Sequence, residues 1–152
     1  MKKFILIIPI FLLLIGCSNK VEDDKFAYIE YKNNLEAQEE FADNESLDFN
    51  TFFNIEREGD NVKYSLVINN PKVNMYKIKA LVIHNYDTID IFPSVGIFDE
   101  TRTLLSGSND EIKLEGNIVS SDDLSGVNFK LYLEYENDDN EKQEIYYEVK
   151  RG

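Results

Sequence analysis

Tryptophan is absent from this chain, and histidine and cysteine occur once each. A single cysteine rules out a disulfide within the chain, so stability has to come from packing. One histidine and one cysteine do not supply the several soft ligands of a structural zinc site. There is no Gly-x-Ser-x-Gly elbow, no glycine-rich phosphate loop and no EF-hand loop with alternating acids around a central glycine. Basic residues are also scarce, 16 Lys and Arg against 29 Asp and Glu, for a net charge of −13. Nucleic acid is thereby excluded as a partner, because its phosphates require a basic surface. Long apolar runs are limited to one, Phe4 to Ile15, whose twelve residues fall short of the ~20 needed to cross a bilayer core.

That short run belongs to a leader. Met1-Lys2-Lys3 gives it a positive start, and Pro9 interrupts it in a way that a stable spanning helix rarely tolerates. A charged start, a short apolar middle and small residues at the end have the form of a secretory signal, which takes no part in the fold.

The leader ends in Leu14-Ile15-Gly16-Cys17. These four residues resemble the lipobox of bacterial lipoprotein precursors, and the resemblance covers residues 1 to 17. It implies a diacylglyceryl group on the Cys17 sulfur, cleavage between Gly16 and Cys17, and a mature chain beginning at the acylated cysteine. Fatty chains such as palmitate would then hold the protein to the cell membrane on its extracytoplasmic face. Two chains on one residue satisfy the requirement of two signals for stable anchoring, at roughly 0.8 kcal/mol per buried CH₂. Removing residues 1–16 of 152 leaves 136, enough for one domain with a sizeable core. The leader takes two lysines and no acid with it, moving the net charge from −13 to −15. Such a charge suits solubility or a basic partner, and it leaves attachment to the anchor rather than to a surface lying on anionic lipid.

Residues 17–46 are polar and acidic, with Glu22-Asp23-Asp24 early and Glu39-Glu40 late. Phe26, Ile29, Leu35 and Phe41 fail to share one helical stripe, so this segment is expected to be a tether that lifts the domain from the membrane. A short helix or edge strand over 25–32 is its only expected structure.

From Leu47 the period becomes two, the signature of strands. Leu47, Phe49, Thr51, Phe53 and Ile55 share a face, with Phe52 the exception. Glu58-Gly59-Asp60-Asn61 makes a turn, after which Val62, Tyr64, Leu66 and Ile68 alternate with Lys63, Ser65 and Val67. In Met75 to His84, Tyr76, Ile78, Ala80 and Val82 share a face, but Leu81 and Ile83 make the other face apolar too, as in a central strand. Pro93-Ser94 divides two short apolar pieces and is expected to be a corner between sheets. Ile112, Leu114 and Ile118 mark a further strand. Val127 to Tyr135 and Ile145 to Val149 alternate around Asn137-Asp138-Asp139-Asn140. A two-residue turn there would put Glu144 and Glu148 in the core. A three-residue loop over 138–140, with Asn140 left-handed, pairs Leu133 with Ile145 and keeps the apolar sets together. The same register sets Tyr132 opposite Tyr146 on the outer face. That pair is expected to be exposed, stabilising the hairpin and offering a contact for a partner, since tyrosine is enriched at interfaces.

About seven short strands in 47–152 predict an all-β domain, a two-sheet antiparallel sandwich similar to the immunoglobulin-like domains of bacterial surface lipoproteins. The Cys…Trp…Cys hallmark of antibody domains is missing, so the similarity is one of architecture. His84, at a strand end beside Asn85-Tyr86-Asp87, is the one base for neutral pH, with Ser94 and Ser106 as serines without a distinguishing context. Asp122-Asp123, the 137–140 turn, and Asp87 with Asp90 supply oxygens of the kind calcium takes, without a recognised loop. No cofactor is expected. The sequence thus leads to a lipid-anchored, non-enzymatic binding or interaction module at the cell envelope, its partner an envelope or extracellular protein. The alternatives are a small-molecule or Ca²⁺ sensor, and a small envelope hydrolase working with carboxylates or a serine.

Overall fold

A computed structural model describes residues 20–88 and 90–150. The elements run in the order α1 (Lys20–Ala37), β1 (Asn50–Glu58), β2 (Asn61–Asn69), β3 (Met75–His84), β4 (Ser94–Val95), β5 (Arg102–Leu104), β6 (Ile112–Val119), β7 (Phe129–Glu136) and β8 (Lys142–Glu148), with one 3₁₀ turn at Asn44–Ser46. Every strand pairing is antiparallel. One sheet has the order β1-β2-β6; the other has β4-β3-β7-β8, with β5 also on β3. β1, β2 and β6 thus form one layer and β3, β7 and β8 the body of the other, a two-sheet antiparallel sandwich.

The alternation read from the sequence is the reason the two sheets meet. Leu66 and Ile68 of β2, Leu114 of β6, Ile78 and Val82 of β3 and Leu131 and Leu133 of β7 are fully or almost fully buried in one cluster between them. Burial of this kind contributes about 25 cal/mol per Å² of apolar surface. The β1–β2 hairpin turns on Gly59 and Asp60, with Gly59 at φ +64°, a conformation glycine adopts at no steric cost. The β7–β8 hairpin has the expected three-residue form. Leu133 faces Ile145, Tyr132 faces Tyr146, and Asn140 is left-handed at φ +60°.

Three expectations about the course of the backbone need correction. Tyr76 does not share the core face of β3: a bulge, with Lys77 at φ +50°, shifts the register there and puts Met75 in the core instead. An extra residue in one strand reverses which side each neighbour faces. Pro93-Ser94 is not a corner between sheets, because β4 and β5 both lie along the same edge of β3. Gly96 joins them at φ +72°, where a Cβ would run into the carbonyl oxygen of Ile78. The largest correction concerns residues 17–46. Residues 20–37 of the expected tether are a helix packed on the outer face of the β4-β3-β7-β8 sheet, with Tyr28 and Leu35 buried against Leu81, Ile83, Phe92, Ile97 and Tyr132. Residues 17–19, Gly16 and the lipobox lie outside the described residues. No described helix is long and apolar enough to cross a membrane.

Candidate functional site beside His84

The covering helix is held by the sheet beneath it. Tyr28, Tyr31 and Leu35 stand at i, i+3 and i+7 and form one stripe. The Tyr28 hydroxyl accepts the Phe92 N–H at 2.9 Å, and Tyr31 stacks on Tyr132 with ring centroids 4.7 Å apart. The last turn of α1 has no basic residue of its own. Lys130 of β7 supplies the charge, donating to the carbonyls of Leu35, Glu36 and Gln38 at 3.2–3.4 Å. A helix end leaves such carbonyls unpaired and carries partial negative charge, so this lysine serves both needs.

Under the helix lies a carboxylate, Glu134, only 8% exposed. Burial pushes its pKa up, but hydrogen bonds from Lys142 at 2.8 Å, Tyr132 at 2.8 Å and Lys79 at 3.2 Å outweigh this and hold it below the usual range. The Tyr132 phenol is raised, first by burial and then by its bond to Glu134.

Where α1 ends over the tip of β3, a groove opens. One cavity of about 320 Å³ is lined by Glu36, Ile83, His84, Asn85, Asn128 and Lys130. A neighbouring one of about 520 Å³ shares Glu36, His84 and Asn85 and extends past Lys32, Asp87 and Asp90 to Phe92. The Asn85–Asn128 pairing shapes its floor: the Asn128 N–H donates to Asn85 Oδ1 at 2.8 Å, and the Asn85 N–H to the Asn128 carbonyl at 3.3 Å. His84 is buried, with Tyr64, Phe92 and Phe129 in edge contact around its ring. Nδ1 finds no hydrogen-bond partner among the described residues. Burial lowers its pKa from the ordinary 6.5, the nearby Tyr86 backbone opposing the shift only in part. The imidazole is thus neutral at pH 7 and wedged among rings.

The other residues singled out from sequence are dispersed. Tyr132 is 1% exposed and Tyr146 is partly buried, so the pair expected as an open contact lies under the chain's own helix, and that expectation is corrected. Ser106 Oγ donates to the Lys72 carbonyl near the start of β3, at the opposite end from His84. Ser94 lies in β4 opposite Leu81. Asp138 accepts from Asn74 Nδ2 and Tyr76 Oη, each at 3.1 Å, and so ties the hairpin to β3. Asp87 and Asp90 both line the groove. Among the described residues, no three His, Cys, Asp or Glu side chains converge as a metal site. Sequence reasoning allowed only a short helix or edge strand over 25–32 and missed the full helix, its docking on the sheet and the groove with them. The signals were the 28–31–35 spacing and the second apolar face of β3, where Leu81 and Ile83 need a cover. A scan against protein-family models finds no matching family, and a search of curated proteins finds no match.

Proposed function

We propose that this chain is a lipid-anchored protein of the extracytoplasmic side of the cell membrane, acting there as a non-enzymatic binding or interaction module. The observation that carries the reading is the lipobox Leu14-Ile15-Gly16-Cys17 directly behind a short apolar leader. The sandwich is in keeping with it, since such folds present loops and edges to partners from a rigid frame. His84 is held neutral among aromatic rings, with Ser94 away from it on β4 and Ser106 beyond β5, an arrangement that favours binding over catalysis.

The experiment is expression of the full chain beside its Cys17→Ser form. The parent sediments with membranes and carries acyl chains by mass spectrometry; Cys17→Ser is released by a salt wash. An unmodified thiol on the parent would defeat the proposal. A second reading, small-molecule capture, is favoured by the groove, whose volume lies in the range of ligand pockets. It predicts saturable ligand stabilisation that is lost in Asn85→Ala.

A further inference from the structure

The chain enters the described fold at Lys20, three residues after Cys17. Three residues reach about 11 Å at full extension, little more than the ~5–8 Å of headgroup region on each side of a bilayer. If Cys17 is acylated, as proposed above, the start of α1 cannot leave the membrane surface, and the long leash implied by residues 17–46 does not exist.

The direction of α1 then fixes which side of the domain follows it. Tyr28 lies against Phe92 and Phe98 beside β4, Tyr31 against Tyr132 of β7, and the chain after the helix bonds to β8 through Ala42 N–H and the Tyr146 carbonyl. The helix therefore crosses from the β4 edge toward the β8 edge. Its first buried residue is Tyr28, so the turns before it stand off the sheet on the anchor side.

The same pole gathers exposed apolar side chains. Of the eight large hydrophobic residues exposed among those described, five belong to it: Val21, Phe26 and Ile29 on α1, and Ile91 and Phe98 flanking β4. Ile29 and Ile91 border one groove, and Phe98 touches the Tyr28 ring at 5.2 Å. Such crowding at one end of a soluble domain marks a contact surface. Carboxylates here (Glu22, Asp23, Asp24, Glu30, Asp90, Asp99, Glu100) outnumber the cations, Lys20, Lys25, Lys32 and the Arg102 that pairs with Asp99, which fits zwitterionic headgroups rather than anionic ones.

The geometry points to this pole as the face that rests in the headgroup layer of the bilayer, with the β8 edge turned away from it. The fatty chains supply the affinity and the apolar pole sets the pose. In the acylated protein Cys17 is consumed, so one introduced cysteine is a unique label site. Full-length Glu100→Cys and Glu144→Cys, each checked for acylation by mass spectrometry and labelled with a fluorophore, are placed in phosphatidylcholine vesicles containing headgroup-nitroxide lipid. Position 100 is expected to be quenched and position 144 not, and adding Val21→Ser, Phe26→Ser and Phe98→Ser abolishes the difference. Equal quenching at both positions of an acylated protein overturns the pose and leaves the anchor standing. A product without acyl chains overturns the anchor, and the pose with it.

Discussion

His84 shows how one side chain can be fixed by its neighbours without being put to chemical use. Its folded-state pKa is depressed, so the folded imidazole refuses a proton that the unfolded chain accepts at about pH 6.5. Stability is complete above that pH and declines as the pH falls below it. Glu36, Asp87, Asp90, Lys32 and Lys130 face the same groove, while Nδ1 is out of contact with solvent. His84→Phe is expected to flatten the fall in melting temperature between about pH 7 and 5. Glu134 behaves in the opposite sense chemically and the same sense thermodynamically. Its depressed carboxyl pKa stabilises the fold above the unfolded value near 4.3, a contribution lost as the pH falls through the folded value. Glu134→Ala leaves the buried Tyr132 hydroxyl without its acceptor, while Lys79 and Lys142 keep contact with water, and is expected to cost about 1–2 kcal/mol in urea unfolding.

At the scale of the element, α1 and the last hairpin differ in how readable they were. The hairpin was legible because the period of two leaves only one register that keeps Leu133 and Ile145 together inside, and that register requires Asn140 in the left-handed region. Asn140→Gly is expected to be neutral or slightly stabilising, and Asn140→Val to cost about 1–2 kcal/mol, both read from thermal melts. The helix was obscured because its stripe is made of two tyrosines and a leucine, while more hydrophobic residues, Phe26 and Ile29, point to solvent. Hydrophobicity alone therefore indicates the wrong face. Leu35→Ala should lower stability by about 2–4 kcal/mol through the cavity it leaves. Phe26→Ala should change it by no more than about 0.5 kcal/mol, a contrast that reports directly on which face is docked.

For the molecule as a whole, the dominant electrostatic fact is the charge of −13. Self-repulsion of that size opposes the compact state, and salt screens it over a Debye length of about 8 Å at physiological ionic strength. The melting temperature is expected to rise from low to physiological salt, and a fall would show that local ion pairs such as Lys79–Glu134–Lys142 outweigh the net charge. The sequence by itself determined the two-sheet class, the faces of β2, β6, β7 and β8, and the hairpin register, because alternation and turn chemistry are local and each strand carries its own pattern. Only the tertiary structure decided that α1 closes over Leu81 and Tyr132, that a bulge turns Tyr76 outward, and that a groove forms beside His84. Those features arise where residues far apart in the chain compete for the same surface, and no single window of sequence holds both competitors.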